Sequence, residues 1–116
     1  MTLKTITNIL KTLPAQAKIT NADGFGFGDF MSDRGNYVDV AISSNKNGIN
    51  TVGHLLVHIE NNALNKTFQG YKGGDFLMNL DTTIKINSMY GIGSDYISAI
   101  VVDEEGYKIL GECDEL

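Results

Sequence analysis

The sequence is short of the residues that most readily disclose a function. Its one cysteine is Cys113, so neither an internal disulfide framework nor a multi-cysteine metal site is available. Arg34 is its only arginine, and nine basic residues face fourteen acidic ones. A duplex-binding protein normally shows a basic stripe, so general nucleic-acid binding is not expected. No apolar run approaches the roughly 18 residues that a membrane span needs. A secretory signal is not expected either, because Leu3 to Leu13 is broken by Lys4, Thr5, Thr7, Asn8, Lys11 and Thr12. These absences predict a soluble, cytoplasmic protein with no membrane partner. Repeats, linkers and low-complexity tracts are also missing.

What remains is ordinary globular composition: 42% apolar, 20% charged and 9% aromatic over 116 residues. That predicts one domain, 1–116, large enough to bury a core unaided. The net charge of −5 is unevenly spread. Asp103, Glu104, Glu105, Glu112, Asp114 and Glu115 face only Lys108, while the first 102 residues balance eight acids with eight bases. The acidity belongs to the last hairpin and tail, where it reads as a solubilising end. The neutral body leaves room for a small anionic ligand at a local basic pocket.

Leu3, Ile6, Leu10 and Leu13 recur at helical spacing, with Thr2 placed to cap and Pro14 to stop, which predicts a short amphipathic helix over 3–13. Residues 23–30, Asp-Gly-Phe-Gly-Phe-Gly-Asp-Phe, read equally as a strand or a loop. As a strand, the glycines mark a face crowded by backbone or ligand. Residues 36–43 read as a strand, and Ser32 to Gly35 as the turn of a hairpin with Arg34 at its bend. Ser43 to Asn50 reads as a polar loop with an Asn47-Gly48 turn. Val52, Leu55, Leu56, Ile59 and Ala63 share one helical face, capped by Asn50 or Thr51 and running to about Leu64. Gly53 in the first turn suggests that something packs closely there. Phe76 to Met78, Thr83 to Met89 and Tyr96 to Val102 read as strands, the last as a central one. Tyr107 to Leu110 reads as a final edge strand. A turn at Asn79 to Thr82 and a glycine loop at Gly91 to Asp95 punctuate them. The order predicts an α+β domain: an antiparallel sheet, made of a hairpin and a C-terminal meander, with two short helices on one face.

The most informative stretch is Gly70-Tyr71-Lys72-Gly73-Gly74-Asp75. Adjacent glycines let several backbone N–H groups point one way, as an anion-holding loop requires. Lys72 adds charge, Tyr71 a flat stacking face, and Asp75 an acceptor for hydroxyls. The spacing is not that of a Walker loop. Arg34, at a bend, can grip phosphate bidentately. His54 and His58 stand i, i+4, but the glutamate of a metalloprotease pattern is absent and no third histidine exists, so they read as solvated helix-face residues and no metal or other cofactor is expected. Asp33 and Asp39 read as solvated carboxylates, and Cys113, in an acidic tail, as unreactive. Phe25, Phe27 and Phe30 read as core or subunit interface, the latter implying a homo-oligomer.

Arg34-Gly35, Tyr37 and Ala41, then Thr51-Val52-Gly53 and Leu55-Leu56, then Lys66-Thr67-Phe68, Gly70 to Asp75, Met78 and Asp81-Thr82 together resemble a pattern of small bacteriophage-encoded proteins. The resemblance covers about residues 33 to 100 and carries no catalytic assignment. It implies that Arg34, Tyr71, Lys72 and the glycines belong to one constellation. The resulting candidate ligand site is Arg34, Tyr37, Tyr71, Lys72, Gly73, Gly74 and Asp75. By analogy with phage accessory proteins, the expected function is non-enzymatic sequestration of a small nucleotide-type anion, a host immune signal, in the host cytoplasm. The alternatives are a phage inhibitor acting by protein contact on a host enzyme, and a small phosphodiester hydrolase with Asp75 or a histidine as base.

Overall fold

A computed structural model of the protein describes residues 1–32, 39–64, 66–69, 75–87 and 94–112. The first helix, α1, spans Leu3–Thr12, with the Thr2 hydroxyl accepting from the Thr5 N–H as its cap. Its buried face is Leu3, Ile6, Thr7 and Leu10. Threonine is a poor helix former, but the buried Thr7 hydroxyl donates back to the Leu3 carbonyl at 2.8 Å, so its polar atom is satisfied. Free N–H groups of the first turn find carbonyls outside the helix. Leu3 donates to Thr82 at 2.8 Å and Lys4 to Leu80 at 2.9 Å. Those carbonyls belong to the expected turn at 79–82, held by the Asn79 and Thr82 side chains.

The second helix, α2, spans Val52–Asn62 and is docked in the same way. Thr51 caps it, Val52 donates to Ala17 at 3.0 Å and Gly53 donates to Ala15 at 2.8 Å. A Cβ on Gly53 would lie 3.1 Å from both the Cβ and the carbonyl oxygen of Ala15. The close packing that the glycine suggested is therefore that of the 15–17 segment on the first turn.

The strands are β1 (Ile19–Asn21), β2 (Gly26–Ser32), β3 (Asp39–Asn45), β4 (Thr67–Gln69), β5 (Asp75–Leu77), β6 (Thr83–Asn87), β7 (Ser94–Asp103) and β8 (Gly106–Glu112). Six form one sheet in the order β1-β8-β7-β6-β3-β2, while β4 and β5 form a separate hairpin. The fold is α+β, but the sheet is mixed: β1 runs parallel to β8 and β3 parallel to β6. A purely antiparallel sheet is thus corrected. The chain from β3 to β6 passes through α2 and the β4–β5 hairpin, a connection long enough to return the next sheet strand in the same direction. The Tyr107 strand is likewise not an edge, because β1 adds outside it. Ser43 to Asn45 belong to β3, and Ser94 and Asp95 to β7, rather than to loops.

Residues 23–30 resolve in favour of a strand over most of their length. Phe27 is fully buried and exchanges two 2.8 Å hydrogen bonds with Ile49. A Cβ on Gly26 would come within 2.7 Å of the Gly48 carbonyl, so backbone crowds the glycine side of this strand. Both helices contribute to one core with the inner sheet face. Leu3, Ile6 and Leu10, then Val52, Leu55 and Ile59, meet Ile19, Phe27, Val40, Ile42, Ile84, Ile86, Ile97 and Ile109. Each such aliphatic side chain stabilises by about 1.5–3 kcal/mol on burial. Among the described residues, no helix is long and apolar enough to cross a membrane.

Candidate functional site

Of the residues proposed from the sequence, Arg34, Tyr37, Tyr71, Lys72, Gly73 and Gly74 lie outside the described residues. Asp75 is described by its backbone, as the first residue of β5 opposite Gln69. The strands that lead into these stretches are well placed. The β2–β3 ladder reaches Ser32 opposite Val40, and the β4–β5 ladder reaches Gln69 opposite Asp75. Residues of β2 and β4 come within 8 Å, Cα to Cα. The stems of the 33–38 and 70–74 stretches are therefore neighbours.

The outer sheet face beside the β2–β3 stem holds a charge that the sequence did not single out. Along β6, Ile84 and Ile86 enter the core, so Lys85 points to the opposite face. Register lays Met31, Ala41, Lys85, Tyr96 and Glu112 in one row across five strands. Lys85 is only 5% exposed. Its ammonium lies 4.2 Å from the centre of the Tyr96 ring and 3.6 Å from an Asp39 carboxylate oxygen. Ala41, with a single methyl, leaves room for the stem. A buried ammonium needs such partners, since an unpaired charge is costly in a low dielectric. Asp39, read as solvated, is thus an ion-pair partner, and it is the first described residue after the 33–38 stretch.

The histidines flank an open groove of about 330 Å³ between the β2 strand, the 47–50 segment and α2. His58 is half-buried and fully engaged, which corrects its reading as a solvated residue. Its Nε2–H donates to the Gly28 carbonyl at 2.8 Å, its Nδ1 accepts from the Asn62 amide at 3.0 Å, and its ring stacks on Phe30 with centroids 4.7 Å apart. Both ring nitrogens are thus engaged by protein groups. His54 is exposed, and its ring has no hydrogen-bond partner among the described residues to orient it. Among the described residues, no three His, Cys, Asp or Glu side chains converge as a metal site would require. Phe27 lies in the core and Phe30 packs against it, so these rings are occupied within the chain. Cys113 and the residues after it lie outside the described residues.

Compared with known protein families, curated proteins and solved structures, the chain matches none.

Proposed function

We propose that the protein is a bacteriophage-type, non-enzymatic binder that sequesters a small nucleotide-like anion, a host immune signal, to counter host defence. Arg34 and Lys72 pair with phosphate, Tyr71 stacks on the base or sugar with Tyr37 beside Arg34, Gly73 and Gly74 offer backbone N–H groups, and Asp75 accepts from a hydroxyl. One observation carries the reading: the β2 and β4 stems adjoin, so stretches carrying the only arginine and the glycine-lysine motif hang from neighbouring strands. The Lys85–Asp39–Tyr96 cluster lies at the first of these stems, where the chain re-enters β3 at Asp39.

The test is a calorimetric titration of mono-, di- and cyclic nucleotides into the wild-type protein, followed by chromatography of the recovered nucleotide. Binding with the nucleotide recovered intact is expected. Binding of none of them would favour the inhibitor that acts by protein contact, and a cleaved product would favour the hydrolase.

A further inference from the structure

Among the described residues, the second half of β7 is paired on one side only. Its partner β6 meets it at Asn87–Ser94, Ile86–Asp95 and Lys85–Tyr96, and no further. The two strands then diverge, and the chain's first residue fills the gap: the Met1 amino group reaches the Ile97 carbonyl at 3.4 Å while the Met1 carbonyl accepts from Ile84 at 3.0 Å. Beyond Ile97, β8 alone among the described strands continues beside β7, as far as Asp103 opposite Gly106.

The direction of the open backbone groups follows from the ladder. Tyr107 donates its N–H to Lys18 at 2.8 Å, so it turns its hydrogen-bonding edge toward β1. Val102 opposite must then turn its own N–H and C=O away from β8, as must Ile100 two residues earlier. Among the described residues, neither backbone group has a hydrogen-bond partner. Natural edges are usually blunted by a lysine, a proline or a bulge. The bulge here lies upstream, between Ile97 and Ala99, and the open part carries Val101 and Val102, 40% and 66% exposed.

Charge selects what could cover it. From Asp95 to Glu105 the strand and its turn carry Asp95, Asp103, Glu104 and Glu105 and no basic residue. The nearby Lys108 is engaged by Glu105 at 3.3 Å. A second copy of β7 would lay two such acidic strands side by side, which like-charge repulsion opposes.

We propose that the β7 edge from Ser98 to Asp103 docks an extended basic segment of a partner protein as an added strand. Backbone pairing through Ile100 and Val102 supplies the grip. Alternate apolar side chains cover Val102, the more exposed of the two valines, and lysine or arginine side chains meet Asp103, Glu104 and Glu105. The proposal does not rest on the anion-binding reading.

The probe is a fluorescent peptide of about ten residues, a typical strand length and more, alternating lysine with valine. Its controls are the same peptide N-methylated at alternate backbone nitrogens and a version with glutamate for lysine. Saturable binding of the lysine peptide is expected, with both controls at least tenfold weaker. Val102→Pro should abolish it, since that N–H serves no bond within the sheet and its loss spares the fold. Val102→Lys, an edge guard that keeps the N–H, should weaken it about tenfold and serves if the proline variant does not fold. Glu104→Lys with Glu105→Lys should weaken it further at low salt than at high salt. Failure of the lysine peptide to bind, equal binding of either control, or binding indifferent to both Val102 variants would overturn the proposal. So would a wild-type dimer in sedimentation that Val102→Lys dissociates, since the occupant would then be a second copy.

Discussion

The two faces of the sheet are built by different physics. The inner face is apolar: Phe27, Val40, Ile42, Ile84, Ile86, Ile97 and Ile109 meet two amphipathic helices, and stability there follows volume removed from water. The outer face buries a lysine among an alanine, a tyrosine and an aspartate, and its integrity follows charge balance and geometry. One residue of register separates the two regimes, since Lys85 stands between Ile84 and Ile86. A face that holds a buried charge is poorly suited to be core and better suited to meet a polar ligand.

The largest expected effect lies on the inner side. Ile59→Ala, in the middle of α2 and fully buried, should lower unfolding free energy by about 4 kcal/mol. Urea denaturation reads this as a lower midpoint with an unchanged slope. The next concerns the outer face. Asp39→Ala removes the carboxylate 3.6 Å from the buried Lys85 ammonium and should cost about 3 kcal/mol, within the range for breaking a buried pair. Lys85→Met keeps the length and drops the charge, so it should cost markedly less, about 1 kcal/mol. The same denaturation series compares the two. If Lys85→Met proved as harmful as Asp39→Ala, the outer face would owe its stability to the charge itself and the contrast between faces would sharpen. If neither mattered, the contrast would fail. The smallest effect is Thr51→Ala, which removes the α2 cap and should cost about 1 kcal/mol, read in the same assay.

Local features of this fold are legible in the sequence, and long-range ones are not. Both helices follow from period and caps, and Gly53 announced the contact with Ala15. The turn at 79–82 and the Asn47-Gly48 turn follow from side chains that bond their own backbone. The strand β1 left no trace, because it has three residues, two of them polar, and forms only beside β8. The interior position of β8 and the parallel pairings share that cause, since they depend on where remote segments dock. The burial of Lys85, between two core isoleucines of β6, depends on Ala41 and Tyr96, some 44 and 11 residues away. His58 likewise looks like a surface residue until Phe30 and the Gly28 carbonyl meet it. Of the candidate ligand site, the described residues include only the flanking strands and the backbone of Asp75.

The central claim is that Arg34 and Lys72 serve one phosphate-bearing ligand, and a double-mutant cycle by calorimetry tests it most directly. With whichever nucleotide binds the wild type, Arg34→Ala and Lys72→Ala should each weaken binding by about 1.5–3 kcal/mol, the worth of a hydrogen bond to a charged group, which is roughly ten- to a hundredfold. Denaturation midpoints should hardly move, because both side chains are proposed to serve the ligand rather than the fold. The double variant should lose less than the sum of the two, since both side chains act on one ligand. Affinity indifferent to both substitutions, or losses that simply add, would contradict a single shared site.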